Sequence, residues 1–304
     1  FVTSKLSDSN VSVVYTPNSR IFRLPFVLVY VLKNRKHFFH AVQYDALRLF
    51  LIVGRFVSFN LLYHERTYLN QNYLENIRLG ISRLVKVPLC ITSNSDDQLR
   101  LFKKILGLSQ KFVRLHNPII NESLKQVRSY NLTHSKKRKV FCAGRFDGQK
   151  NLMFFVQNAK TISDILQVDK IHIFSEAVPA FCKDYLKWCE FHGFKDNIYE
   201  ILKSFDTILI NTQFEGFSNQ LFESLFTCLN VFCSKHEHGF EELESLFEFN
   251  TFEPNSLEDL KKSLLRIKNV TKQVGFACEK ELEFFYEEES LNEFRELIKL
   301  IDAK

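Results

Sequence analysis

Residues 205–229 read FDTILINTQFEGFSNQLFESLFTCL, and this stretch decides the fold. Residues 205–211 form a short apolar run that predicts a buried strand, and residues 221–229 predict a packed helix. The first N–H groups of a helix have no intrahelical partners, so they attract anions. A strand, a short loop and a helix start in this order therefore predict an anion-binding site.

Two glutamates stand eight positions apart around this helix start. Glu215 lies on the loop and Glu223 lies in the second predicted helical turn. Gly216 lets backbone approach a ligand closely, and the next residues, Phe217, Ser218 and Asn219, would offer backbone N–H groups. Carboxylates on either side of a bound diphosphate can hold hydroxyl groups, which is the layout that a nucleotide-sugar needs. The alternative is an exposed glutamate pair at a helix cap.

Two cations follow a second predicted strand, at residues 139–143. Residues 141–151 read FCAGRFDGQKN, which places Arg145 and Lys150 five positions apart across a flexible Asp147-Gly148 turn. Fixed cations stabilise a departing diphosphate, with arginine as a planar fork and lysine as a point charge. The alternative is a pair of solvated surface cations.

His64 follows a third predicted strand, at residues 59–63, at the carboxyl end where open α/β sheets bind ligands. With Glu65 and Arg66 it forms a candidate acceptor-side group, and a capping or structural histidine is the alternative. The spacing of His236 and His238 suggests metal, but no carboxylate or cysteine array accompanies the pair. We therefore expect no metal site.

These motifs resemble those of retaining glycosyltransferases with the GT-B fold, of the family 4 type. Residues 215–223 are similar to the family's motif of two glutamates separated by seven residues. Residues 141–151 resemble its Gly-Arg loop followed by Lys-Asn, and residues 63–66 its His-acid pair. The resemblance is good over about residues 138–300 and loose over residues 1–130. The family's first strand, its glycine-rich turn and most of its first helix have no counterpart, so we expect a fragment or a shortened N-terminal domain.

The resemblance implies a fold and a reaction. The fold is α/β, with two Rossmann-like domains facing across a cleft. The reaction is retaining, metal-free and cofactor-free transfer of a sugar from a nucleotide-sugar to a hydroxyl of a surface-glycan or lipid-linked acceptor. Glu215 would hold the transferred sugar, Glu223 the ribose, and Arg145 and Lys150 the diphosphate, while His64 would contact the sugar or the acceptor. Two alternatives stay open: a nucleotide-sugar epimerase of similar fold, and a non-catalytic nucleotide-sugar-binding scaffold.

The charge is divided unequally along the 304 residues. Residues 1–138 carry a net charge of +15 and the remainder carries −9, within a total of +6. A basic half suggests an anionic partner. Since no basic-aromatic nucleic-acid motif is present, we favour an anionic membrane face or a lipid-linked acceptor, with solvated surface lysines as the alternative. Seven scattered cysteines without a CxxC pair indicate reduced thiols, so we expect a cytoplasmic protein, peripheral on the inner face of the membrane.

Alternating strands and helices predict three regions. These are an acceptor-side domain at residues 1–135, a nucleotide-sugar-binding domain at 136–285, and a C-terminal helix at 286–304 that packs back toward the first domain. We expect the end of a helix at 2–6, a strand at 11–15, a polar linker at 121–139, and single helices at 152–165 and 180–192.

Overall fold

The computed structural model describes residues 20–36, 38–67, 69, 71–84, 87, 89–106, 111–129, 139–195, 204–227, 230–236, 240–266 and 282–302. The predicted elements at residues 2–6 and 11–15 lie outside this set. The chain forms two compact units: the first comprises Phe1–Glu65, Leu69–Thr92 and Leu99–Val113, and the second comprises Arg66–Tyr68, Ser93–Gln98 and Arg114–Lys304.

The first unit is built on a four-stranded sheet in the order β1-β2-β3-β4. Its strands are β1 (Phe38–Val42), β2 (Asn60–Glu65), β3 (Leu89–Ser93) and β4 (Lys111–Arg114), and its helices are α1 (Arg20–Asn34), α2 (Gln43–Val53), α3 (Gln71–Ile81) and α4 (Asp96–Leu106). Strands β1 and β2 are parallel, with α2 between them in the sequence.

In the core of the first unit, buried side chains of the sheet pack against buried side chains of the helices. Strand β2 buries Leu61, Leu62 and Tyr63 consecutively, as expected for a strand covered on both sides. Helices contribute further fully buried side chains, among them Leu47, Leu74, Ile77 and Phe102.

The second unit is built on a six-stranded sheet in the order β10-β9-β8-β5-β6-β7, with every adjacent pair parallel. Its strands are β5 (Val140–Ala143), β6 (Ile171–Phe174), β7 (Cys189–His192), β8 (Thr207–Ile210), β9 (Asn230–Ser234) and β10 (Asn250–Phe252). Its α-helices are α5 (Glu122–Ser129), α6 (Leu152–Gln157), α7 (Ala159–Leu166), α8 (Asn219–Phe226), α9 (Phe240–Leu246), α10 (Leu257–Arg266) and α11 (Glu287–Asp302), and 3₁₀ turns occupy Ala180–Tyr185 and Glu283–Phe285.

Alternate residues of these strands enter two different cores. In β8, Ile208 and Ile210 pack with Phe217 and Phe222, whereas Leu209 packs with Phe155 on the other face. Since both faces of β8 are buried, its residues 208–210 form a continuous apolar run. For this reason residues 205–211 predict a strand although apolar and polar residues do not alternate in them.

Most of the predicted elements are confirmed, and the errors have physical reasons. The single helix expected at 180–192 is wrong: a 3₁₀ turn at Ala180–Tyr185 is followed by the edge strand β7. The linker expected at 121–139 contains helix α5, whose Leu124 is buried in the core of the second unit. The helix expected at 152–165 is interrupted at Asn158, whose side chain donates to the Phe154 carbonyl at 2.7 Å.

The second unit contains all residues from Arg114 onward, together with Arg66–Tyr68 and Ser93–Gln98, whereas the sequence placed the domain boundary at 135/136. Residues 114–129 join the second unit because Ile119 and Ile120 are buried in its core, and their N–H groups donate to the Phe285 carbonyl at 3.1 and 2.8 Å. Helix α11 belongs to the same unit, where Glu293 accepts from the His116 N–H at 3.2 Å. Its packing against the first unit stays a prediction.

Within the described residues, none of the helices combines the length and the apolar character needed to cross a membrane.

Candidate functional site

The loop after β5 is shaped by one glycine and one aspartate. Gly144 has a φ of 149°, and a Cβ added there would lie 3.3 Å from the Cβ of Lys150, so glycine suits this position for two reasons. The Asp147 carboxylate accepts from the N–H groups of Gln149 at 3.1 Å and Lys150 at 2.9 Å. The turn therefore presents the Lys150 side chain at the carboxyl end of the sheet.

This loop is fastened to the loop after β8 by three contacts. The Gln213 N–H donates to the Gln149 carbonyl at 2.9 Å, and the Gln149 side-chain amide donates to the Phe214 carbonyl at 3.0 Å. The third contact is an ion pair between Lys150 and Glu215, whose side chains are only 20% and 13% exposed. The structure thus brings together two of the predicted site residues, which stand 65 positions apart in the sequence.

The start of helix α8 completes this edge of the site. Ser218 is its N-cap, and its hydroxyl accepts from the Leu221 N–H at 3.4 Å. The Gln220 side chain donates to the Ala143 carbonyl at 2.9 Å, which ties the first turn of α8 to the end of β5. Asn219 accepts from the Asn117 side chain at 2.6 Å. The helix N-terminus, with its partial positive charge, is therefore fixed beside the Lys150–Glu215 pair.

Gly216 is required by close packing. A Cβ at this position would lie 2.7 Å from the Arg66 carbonyl oxygen and 3.2 Å from Oδ1 of Asn94. Both Gly216 and Phe217 are buried, and Phe217 packs on Phe285 at 5.3 Å between ring centroids. The sequence predicted that a ligand comes close to the Gly216 backbone. In the structure, the Arg66 carbonyl and the Asn94 side chain come close to it.

Glu223 lies one helical turn further on and is half-buried. Burial raises the pKa of its carboxyl from the ordinary 4.5 to about 7, and the charge of Lys150 opposes this rise. A carboxyl with a pKa near 7 can either accept or donate a hydrogen bond at neutral pH. Glu223 is therefore suited to binding hydroxyl groups.

Arg145 has different partners from Lys150. Its guanidinium pairs with Asp147 at 3.0 Å and donates to the side-chain oxygen of Gln149 at 3.1 Å, and its side chain is 63% exposed. The two predicted cations thus share one loop, but only Lys150 pairs with the glutamate of the loop after β8.

The acceptor-side candidates lie within and just after β2. Contrary to expectation, the strand continues through His64 and Glu65. His64 Nδ1 lies 2.8 Å from the Thr92 hydroxyl, which donates to the Tyr63 carbonyl at 3.1 Å. Glu65 is fully buried and accepts a hydrogen bond from the Tyr63 hydroxyl. Arg66 is exposed.

Sequence reasoning missed the amides that position these loops. Asn255 has a φ of 59°, and its side-chain oxygen accepts from Asn151 at 2.6 Å and from Asn211 at 3.1 Å. Their proximity could have been inferred from the sequence, because Asn151 and Asn211 follow two strands of one parallel sheet. The carboxyl ends of such strands lie at the same edge of the sheet. His236 is buried and packs against Phe240, while His238 lies outside the described residues.

Comparison with known proteins identifies the fold. No family model and no curated protein sequence matches the chain. Solved structures do match over nearly its whole length. HepE from Anabaena, in complex with UDP and glucose, has a TM-score of 0.69 at 16% identity, with 98% of this chain and 88% of that chain covered. Sucrose-phosphate synthase from Thermosynechococcus elongatus has a TM-score of 0.70 at 14% identity, covering 97% and 83%.

A glycosyltransferase from Rickettsia africae also matches, with a TM-score of 0.66 at 11% identity and coverage of 99% and 87%. The chain therefore has the α/β fold of GT-B glycosyltransferases, as its motifs predicted.

The raised pKa of Glu223 predicts how stability depends on pH. Between pH 4.5 and about 7 the folded chain holds a proton that the unfolded chain releases, so the free energy of unfolding falls as pH rises through this window. Glu223→Gln removes this fall in the free energy of unfolding, because glutamine does not titrate. From pH 4 to pH 8, the stability of the variant relative to the parent should rise by about 1–3 kcal/mol.

Urea unfolding followed by fluorescence of the single tryptophan, Trp188, measures this difference within the second unit. Glu258→Gln is the matched control for loss of an exposed glutamate in the same unit, because Glu258 is exposed on α10. A difference for Glu223→Gln that does not change with pH would show that Glu223 is not a high-pKa group.

Proposed function

We propose that this chain transfers a sugar from a nucleotide-sugar donor to a hydroxyl acceptor, with retention of the anomeric configuration. The observation that carries the proposal is the Lys150–Glu215 ion pair beside the capped N-terminus of α8. A cation, a carboxylate and free helical N–H groups at one sheet edge match the needs of a diphosphate and a sugar. The likeness in fold to HepE, solved with UDP and glucose, supports a uridine nucleotide as the first donor to test.

Lys150 would neutralise the charge that develops as the nucleoside diphosphate departs. Its ammonium is paired with Glu215 and its side chain is only 20% exposed, so its position is set before the donor arrives. Arg145, on the same loop, would reach the outer phosphate oxygens from its exposed position. Ser218, Asn219 and their neighbours in the first turn of α8 would supply backbone N–H groups.

Glu215 and Glu223 would hold the two sugars of the donor. Glu215, on the loop, would accept from hydroxyls of the transferred sugar through carboxylate lone pairs that the Lys150 ammonium does not occupy. Glu223, in the second turn, would bind the ribose hydroxyls, and its pKa of about 7 lets it do so in either protonation state.

Bond making and breaking would occur on one face of the sugar. The bond from the anomeric carbon to the diphosphate oxygen breaks while the bond to the acceptor oxygen forms, and the departing phosphate oxygen takes the acceptor proton. This course, implied by the family resemblance, requires no metal and no protein base. His64 and Arg66 remain the acceptor-side candidates. Glu65 is less suited to this role, because it is fully buried and accepts a hydrogen bond from Tyr63, which is fully buried as well.

The proposal predicts the effects of removing charge from the loop after β5. Lys150→Met should lower kcat about 100-fold, and Arg145→Met should also lower it, because a fixed cation stabilises the transition state more than the ground state. Lys160→Met is the control, since Lys160 is exposed on α7 and its loss should leave kcat unchanged.

The assay follows nucleoside diphosphate release from a panel of UDP-sugars, with and without glycan or lipid-linked acceptors, and NMR gives the anomeric configuration of the first product. An inverted product, a rate abolished by chelators, or full activity of both cation variants would contradict the mechanism. Formation of an epimer without transfer would indicate the epimerase, and nucleotide binding without turnover would indicate the scaffold.

We also propose that the first unit associates with anionic membranes on the cytoplasmic side. Basic and apolar side chains are exposed together near the end of α1, where Val29 and Leu32 are each 50% exposed and Lys33, Arg35 and Lys36 lie beside them. Apolar contact and attraction to anionic lipids act together in such surfaces.

Vesicle sedimentation tests this association. The full chain should bind vesicles containing phosphatidylglycerol, release them at high salt, and bind weakly to phosphatidylcholine alone. Reversing the charges of Lys33, Arg35 and Lys36 to glutamate should abolish binding. The same reversal at three exposed lysines of the second unit, Lys160, Lys183 and Lys187, should not. Equal binding to neutral and anionic vesicles would refute a charge-driven association.

A further inference from the structure

A cluster of two histidines and one glutamate lies at the β7 edge of the six-stranded sheet. His172 is in β6, while Glu190 and His192 are in β7, the last strand of the sheet. The parallel register sets His172 opposite Glu190 and Phe174 opposite His192. Because alternate strand residues project from the same face, all three polar side chains emerge on one side of the sheet.

Their ligand atoms already stand close together. Nδ1 of His172 lies 3.0 Å from Nε2 of His192. The carboxylate of Glu190 lies 3.8 Å from Nδ1 of His172 and 3.7 Å from Nε2 of His192. Around a tetrahedral zinc ion with bonds of about 2.0–2.2 Å, ligand atoms are about 3.3–3.5 Å apart. Small side-chain adjustments would bring this set to that spacing.

The surroundings hold the imidazole rings in place and leave the carboxylate accessible. The His192 ring stacks on Phe174 at 4.4 Å, and Phe205 meets the His172 ring edge-on at 5.0 Å. The two histidine side chains are 22% and 26% exposed, and that of Glu190 is 51% exposed. Within the described residues, the hydrogen-bond and ion-pair partners of these three side chains are one another. An ion can therefore enter from solvent without breaking other pairings.

We propose that His172, Glu190 and His192 bind a zinc ion, with water as the fourth ligand. Two imidazoles and one carboxylate suit zinc better than magnesium or calcium, which prefer oxygen ligands. The ion would join β6 to β7 at the β7 edge of the sheet, whereas the Lys150–Glu215 pair joins the loops after β5 and β8.

Zinc binding to the full chain tests the proposal. After treatment with EDTA and dialysis, the protein is titrated with ZnCl₂ against a chromophoric chelator, and scanning calorimetry gives its unfolding temperature. One zinc ion should bind per chain and raise the unfolding temperature, because a ligand that binds only the folded state stabilises it. Glu190→Gln and His192→Asn should each weaken zinc binding by about tenfold or more, through loss of one ligand.

Glu176→Gln is the matched control for Glu190→Gln, since both glutamates are exposed, and it should bind zinc as the parent does. Glu190→Gln changes a solvent-facing side chain and should fold even if His192→Asn does not. Cobalt substitution separates this site from the cysteines, because thiolate ligands add a charge-transfer band that the proposed site lacks. Absence of bound zinc, unchanged affinity in Glu190→Gln, or a thiolate band would each overturn the proposal. These measurements do not depend on sugar transfer.

Discussion

The parallel pairing of β5 with β8 is the constraint on which the candidate site depends. Val140 lies opposite Thr207 and Phe141 opposite Ile208, so the two strands end at the same edge of the sheet. The loops that follow must then meet, and Lys150 reaches Glu215 across them. Burial of β8 on both faces fixes the register, because a shift of one residue would turn Ile208 and Ile210 away from their core.

Hydrogen bonds within the two loops turn this proximity into a defined geometry. Asp147 closes the first loop, Gln149 bridges it to the second, and Gln220 ties helix α8 to the end of β5. These contacts orient Lys150 before any donor binds, which is the preorganisation that electrostatic catalysis requires. Glu223 is placed by the same helix, and its burial raises its pKa in spite of the opposing charge of Lys150.

The sequence predicted the elements that carry strong apolar patterns and missed those decided by tertiary context. Residues 205–229 predicted strand, loop and helix correctly because β8 is wholly buried, with three consecutive apolar residues, and Ser218 caps α8. The edge strand β7 was mistaken for helix because four residues with one exposed glutamate carry no strand pattern. Helix α5 was mistaken for linker because its sequence is polar, and the burial of Leu124 is decided by tertiary packing.

In the candidate site too, the sequence predicted the residues but not the contacts that tertiary structure decides. Spacing within the two motifs predicted Lys150, Glu215 and Glu223, but it did not show that Lys150 and Glu215 pair or that Arg145 turns toward Asp147. These facts depend on the order of strands in the sheet, which spacing alone does not determine. The histidines of the proposed zinc site were equally hidden, since His172 and His192 become neighbours only when β7 is a strand.

The central claim is that the Lys150–Glu215 pair forms the phosphate side of a donor site, and a double-mutant cycle tests it directly. Calorimetry would give the affinity for UDP of the parent, Lys150→Met, Glu215→Gln and the double variant. Lys150→Met should weaken binding most while Glu215 remains, because an unpaired carboxylate then repels the phosphates. The account predicts a coupling of about 0.5–3 kcal/mol between the two changes. Additive effects, or UDP affinity unchanged in Lys150→Met, would contradict it.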